Sequence, residues 1–147
     1  MMGLVMKLRF TEIIREGTLR NYYVNGKIAG YGFDIRLGYY RGHFLSVIDD
    51  LGVETDGEKV NSDNITFCIN NKEFHTFELK YQFSEFWNIL TPATIKIRKA
   101  GGLSPGEHDI NLTLMLRSPY MPLPGSVKEH CYTPIDSCDR KILLLAD

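Results

Sequence analysis

The chain has 147 residues, with 17 Lys and Arg against 18 Asp and Glu, a formal net charge of -1, 44% hydrophobic and 24% charged residues. One domain of this size buries roughly two-thirds of the surface its unfolded chain exposes, so it needs no disulfide or metal staple to fold. Charges of both signs are scattered, so no basic stripe exists to neutralise a phosphate backbone, and no run approaches the ~20 apolar residues of a membrane helix; nucleic acid and membrane are excluded as expected partners.

Lys7 and Arg9 interrupt the apolar start of the chain, leaving a run too short for a signal sequence, and the expected location is cytoplasmic. Cys68, Cys131 and Cys138 are too few, and odd in number, for a disulfide framework. Leu19, Tyr22, Tyr23 and Val24 predict a first strand, ended by Asn25-Gly26, a pair suited to a hairpin turn that needs positive φ at both central residues. Residues 30–50 read as a strand, a kink and a second strand. Tyr31, Phe33, Ile35, Leu37 and Tyr39 share one face and Gly32, Asp34, Arg36, Gly38 and Tyr40 the other, until Gly38 and Gly42 bracket Tyr39, Tyr40 and Arg41 and crowd three large side chains into one bend.

An acidic cluster follows, Asp49, Asp50, Glu54, Asp56 and Glu58, with Asp56-Gly57 as a second hairpin turn. Its spacing lacks the alternating ligands of a calcium loop, so a solvated edge hairpin is the expectation. Ile65, Phe67 and Ile69 alternate as a strand, Asn70-Asn71 turns it, and residues 74–79 return. Residues 80–91 carry Tyr81, Phe83, Phe86 and Trp87 without a clear period; one helical turn fits, but Pro92 just beyond favours an irregular loop. Ile95 and Ile97 mark a short strand turned by Gly101-Gly102. After Pro105-Gly106 the alternation of Ile110, Leu112, Leu114 and Leu116 is unbroken, residues 120–125 with Pro122 and Pro124 are expected to be irregular, and Ile142 to Leu145 closes the chain as a last strand.

The sum is an all-β chain, one domain over residues 1–147, folded as a single antiparallel β-sandwich of about eight strands; the Leu103-x-Pro-Gly-Glu-His108 turn feeding a long strand resembles sandwiches of immunoglobulin-like shape. Candidate chemistry is sparse. His130, Cys131 and Cys138 are of types that bind zinc but lack a paired Cys-x-x-Cys and a fourth ligand, so packing on the sheet is expected instead. His108 is expected at the surface, and His43 has no nucleophile or carboxylate fixed beside it. Tyr, Arg, Phe, Trp and Met concentrate in the irregular segments, and these types are enriched at the buried centres of protein interfaces. Tyr39, Tyr40, Arg41, Gly42, His43, Tyr120 and Met121 are therefore the candidate partner-contacting residues, while Trp87 is expected in the core.

Phe33-Asp34-Ile35-Arg36-Leu37, Tyr39-Tyr40-Arg41-Gly42, Val53-x-x-Asp56-Gly57-Glu58-x-Val60, Gly101-Gly102-Leu103-x-Pro105-Gly106-Glu107-His108 and Tyr120-Met121-Pro122 together resemble the small β subunit of bacterial C-glycoside deglycosidases. The resemblance implies a non-catalytic subunit, with no cofactor of its own, in a hetero-oligomer with an α subunit similar to sugar-isomerase (β/α) barrels. That partner would hold a divalent metal, usually described as manganese, together with the catalytic base. The implied reaction is carbon–carbon bond cleavage of a C-glycoside oxidised at sugar position 3. A stand-alone carbohydrate-binding sandwich, stacking sugar on exposed tyrosines and Trp87, is the alternative.

Overall fold

The computed structural model describes residues 12–38, 41–122 and 132–146, with the side chains of 118–122 and 132–134 left aside. Two antiparallel sheets pack face to face. The first has the order β1-β2-β9-β6-β7, from β1 (Arg20–Val24), β2 (Lys27–Ile35), β9 (Ala93–Arg98), β6 (Ile65–Ile69) and β7 (Lys72–His75). The second is built on β10 (Gly106–Pro122). One edge of β10 pairs with β4 (Ile48–Thr55), which continues into the short β5 (Glu58–Lys59); the other edge pairs with β12 (Asp139–Leu145) and then with β11 (Tyr132–Asp136). A two-residue ribbon, β3 (His43–Phe44) with β8 (Phe86–Trp87), stands apart from both sheets.

Period-two alternation decides which side chains meet between the sheets. Tyr31, Phe33 and Ile35 of β2 and Ile95 and Ile97 of β9 face Leu51 and Val53 of β4 and Ile110, Leu112, Leu114 and Leu116 of β10, all at 7% exposure or less. Within the core the Tyr31 hydroxyl and Thr55 Oγ1 satisfy each other at 2.7 Å, which removes the cost of burying either alone. On the opposite face of the first sheet, Asp34 accepts from Arg20 Nη2 at 3.0 Å and from the Thr94 hydroxyl at 2.8 Å. The Asp56-Gly57 and Asn25-Gly26 pairs take positive φ at both positions, as does Asn70-Asn71, so all three hairpin turns form where the sequence predicts them.

The strand number exceeds the expected eight because three pieces are only two residues long and because β11 went unrecognised. Pro134 masks β11 as a strand, yet it pairs with Arg117 on an edge where a missing N–H is tolerated. The strand expected to end before residue 120 instead runs to Pro122; the ladder with β11 is interrupted between Arg117 and Pro122, where Pro119 also falls. Ile13 and Ile14, in a stretch with no period, are fully buried. Their backbone N–H groups donate to Asp139 Oδ2 at 3.2 and 3.0 Å, tying the first described residues to β12.

His108, expected at the surface, is 8% exposed. Its Nδ1 lies 2.7 Å from Asp56 Oδ2 and its Nε2 2.7 Å from the Ser104 carbonyl, so two polar partners make burial acceptable. The acidic cluster does form an edge hairpin, with Asp49 paired to Arg117 and Asp56 to His108. Among the described residues no helix is long and apolar enough to cross a membrane.

Candidate functional site

The segment without a clear period, residues 80–91, folds together with residues 76–79, expected to continue the returning strand, against residues 41–47 as one block. Thr76–Tyr81 form a 3-10 helix, so the irregular loop expected over 80–91 begins only after Tyr81. Glu78 Oε1 accepts from the His75 N–H at 2.7 Å and closes the helix start, and Leu79, 2% exposed, anchors it to the core. Leu45 N–H donates to the Glu85 carbonyl at 2.9 Å and Ser46 N–H to the Gln82 carbonyl at 3.2 Å, while His43 and Phe44 pair with Trp87 and Phe86. Glu85 is held in turn by Lys72 Nζ and Asn70 Nδ2, each at 2.8 Å, and these two bonds keep its carboxyl below the usual carboxylate range.

The interior of this block is buried. Trp87 is 1% exposed, meets Phe67 edge-on at 5.3 Å between ring centres, and donates its indole N–H to the Thr91 carbonyl at 2.8 Å. It is core, as the sequence predicts, and its burial removes it from the sugar-stacking role the carbohydrate-binding alternative gave it. A Cβ on Gly42 would sit 2.5 Å from the Phe86 ring and 2.7 Å from the Trp87 carbonyl, so only glycine lets the two segments approach this closely.

The exterior is aromatic. Phe77, Tyr81 and Phe83 are 66%, 64% and 70% exposed, Leu90 is 88% exposed, and Phe44 and Phe86 are half-buried against each other, ring centres 5.0 Å apart and near perpendicular. His75 stacks parallel to Phe77, and Lys80 Nζ lies over the Tyr81 ring at 5.1 Å. Folding leaves single apolar side chains exposed everywhere, and six of them fall within residues 41–47 and 76–91.

Of the candidate contact residues, Arg41 is exposed at the edge of this block and Gly42 lies against the Phe86 ring. His43 is 2% exposed beneath the surface; burial, then the charge of Arg41, push its imidazole down to about 4, so it is neutral at pH 7. Tyr39 and Tyr40 lie outside the described residues, as do the side chains of Tyr120 and Met121. Tyr81, Phe83 and Phe86 are among the aromatics the sequence places in the irregular stretch 80–91, whereas the exposure of Phe77, expected on a returning strand, and of Leu90 has no signal in the sequence beyond apolar residues that match neither period.

Among the described residues no group of three or more His, Cys, Asp or Glu side chains is placed to hold a metal ion. Burial and the neighbouring Glu73 push the Cys68 thiol up to about 11, which leaves it unreactive at neutral pH. Cys138 Sγ lies 3.9 Å from Met115 Sδ, and the other two zinc candidates, His130 and Cys131, lie outside the described residues.

Comparison with known proteins adds what geometry alone lacks. Residues 10–120 match the family described as C-glycoside deglycosidase beta subunit. A protein of Eubacterium cellulosolvens named C-glycoside deglycosidase beta subunit is 40% identical over 98 residues, covering 67% of each chain. A Microbacterium protein named 3'-dehydrocarminate deglycosidase beta subunit is 32% identical over 97 residues, covering 66% of this chain and 73% of its own. An Arthrobacter globiformis protein, again named C-glycoside deglycosidase beta subunit, is 26% identical but spans 92% of this chain and 95% of its own. With a family model matched over residues 10–120 and relatives named as subunits, the chain belongs to the C-glycoside deglycosidase beta subunit family.

Proposed function

We propose that this chain is the non-catalytic β subunit of a carbon–carbon bond-cleaving lyase that acts on 3-oxo-C-glycosides. It binds the α subunit, a sugar-isomerase-like barrel, through the aromatic block at residues 41–47 and 76–91. The observation that carries this reading is the block itself: a rigid, glycine-fitted core beneath six exposed apolar side chains, in a chain whose relatives are named as subunits. Tyr39, Tyr40, Tyr120 and Met121 extend the same contact in this proposal.

The chemistry assigned to the partner follows from the substrate. A ketone at C3 acidifies the C2–H bond; a base removes that proton, the electron pair forms the C1–C2 double bond, and the C1–aryl bond breaks with the aromatic carbon leaving as a carbanion equivalent that is protonated. A divalent metal held by the partner would supply Lewis-acid chemistry for this step. This chain's part is to brace the barrel loops and shield the pocket from water, which keeps the reacting atoms oriented and the electrostatics strong.

The experiment is reconstitution. Each subunit is assayed alone and mixed against a 3-oxo-C-glycoside, with release of the aglycone as readout. Activity is expected only in the mixture, and full turnover by the α subunit alone would overturn the reading.

A further inference from the structure

His108 sits near the start of β10 with acceptors on both ring nitrogens, Asp56 Oδ2 at Nδ1 and the Ser104 carbonyl at Nε2, each at 2.7 Å. A carboxylate and a carbonyl only accept, whereas a neutral imidazole carries a single N–H. One of the two contacts therefore fails unless the ring is an imidazolium. Asp56 is itself fixed: its residue takes φ 53° in the β4–β5 turn, its Oδ1 accepts from the Asp109 N–H at 2.8 Å, and its own N–H donates to the Asp109 carbonyl at 2.9 Å.

His108 thus joins three segments, the β4–β5 turn, the turn at Ser104 and the start of β10. The charged groups around it are Asp56 from the hairpin, Lys99 after β9, and Asp109, whose carboxylate is engaged by Arg140 of β12. Hairpin and loop together wall a cleft of about 240 Å³ whose lining includes Tyr31, Asp56, Glu58, Lys99 and Leu103.

We propose that His108 is a pH-operated tie: as an imidazolium it clamps the β4–β5 hairpin to the Ser104 turn, and on losing its proton it releases one of the two and loosens this wall of the cleft. The proposal is independent of the subunit assignment. Burial disfavours the charged ring, but the hydrogen bonds to Asp56 and Ser104 and the Asp56 charge outweigh it, so the imidazole is raised above its ordinary 6.5. With the folded value above the unfolded one, the tie's stabilisation is complete below pH 6.5 and is lost as pH rises through the folded value.

The test is an NMR titration of the full chain. In the wild type the His108 midpoint is expected above 6.5, with the amides of Asp56, Gly57 and Ser104 shifting at the same midpoint. Asp56→Asn keeps the turn, because asparagine tolerates positive φ, and keeps the acceptor for Asp109 N–H, but its Nδ2–H can donate to Nδ1. A neutral ring then satisfies both sides, so the midpoint is expected to fall below that of the wild type and the loop amides to lose their pH response. The melting-temperature gap between wild type and His108→Gln should also narrow as pH rises past the wild-type midpoint. A wild-type midpoint at or below 6.5, loop amides that ignore His108, or an Asp56→Asn midpoint equal to the wild type each overturns the proposal.

Discussion

Replacing Phe83 or Phe77 by serine separates a docking surface from mere decoration. Both rings are about two-thirds exposed in the free chain, at 70% and 66%. A wholly buried aromatic covers about 200 Å², so full coverage by a partner removes roughly 130 Å² more from water, about 3 kcal/mol at ~25 cal/mol/Å². Ordering and imperfect fit reduce that, which leaves an expected loss of about 2–3 kcal/mol per substitution, or roughly 30- to 150-fold in Kd for the α subunit. Arg41→Ala on the same surface should cost about 2 kcal/mol. The isolated chain should melt as before, because truncating an exposed side chain away from special contacts shifts stability by about 0.5 kcal/mol or less. Calorimetric titration against the α subunit gives Kd, and circular dichroism gives Tm. Tyr23→Ser is the control: it is 64% exposed but lies on β1, at the opposite edge of the first sheet from β7 and the block. A change in Kd below about threefold for Phe77 and Phe83, or an equal effect from Tyr23, would refute the placement of the interface.

Two further substitutions test the support beneath that surface. Trp87→Ala should destabilise the isolated chain by about 3–5 kcal/mol, seen as a lower Tm, because it empties a site 1% exposed and orphans the Thr91 carbonyl; Trp87→Phe, which loses chiefly the hydrogen bond, should fall well short of that. His43, held down to about 4 by burial and then by Arg41, should show no imidazole titration by NMR between pH 8 and 6. Because the unfolded ring takes its proton at 6.5 and the folded one only near 4, this residue's contribution is intact above pH 6.5 and about 3 kcal/mol of it is lost as pH falls to 4; His43→Leu should abolish that part of the acid lability in urea melts.

The two histidines show where sequence reading stops. The alternation of Ile110, Leu112, Leu114 and Leu116 needs only the period to predict which face is buried, and the Asn-Gly, Asp-Gly and Asn-Asn turns need only their φ preferences. His43 and His108 carry no such local signal. One is neutral chiefly because the fold buries it, with the charge of Arg41 adding to the effect, and the other favours its charged form because a turn 52 residues away delivers Asp56 opposite the Ser104 carbonyl. Arg41 and Ser104 are near in sequence, but the burial and the Asp56 contact are tertiary. The same holds for β3 and β8: the second strand expected after the Gly38–Gly42 bend is split by a 3-10 turn at Leu45–Val47, and its first piece, His43–Phe44, pairs with Phe86–Trp87 in a stretch expected as a loop.

Those hidden contacts also explain why the aromatic block and not some other part of the chain is the candidate interface. The longer strands also present large apolar side chains, Tyr23 and Val24 on β1 and Ile142 and Leu144 on β12, but only in pairs. Residues 76–91 satisfy their backbone largely by different means, through the Glu78 cap, the Glu85 and Gln82 carbonyls and the Trp87 indole, with only Phe86 and Trp87 in a two-residue ladder. Phe77, Tyr81, Phe83 and Leu90 are thereby held on a hydrogen-bonded base without being buried by it. Exposed aromatics on a mobile loop would lose ordering entropy on contact; on this base most of that cost is already met in folding, which is the condition for a few side chains to carry a subunit interface. The departure from sheet periodicity that made the segment hard to read is, on this argument, what makes it able to bind.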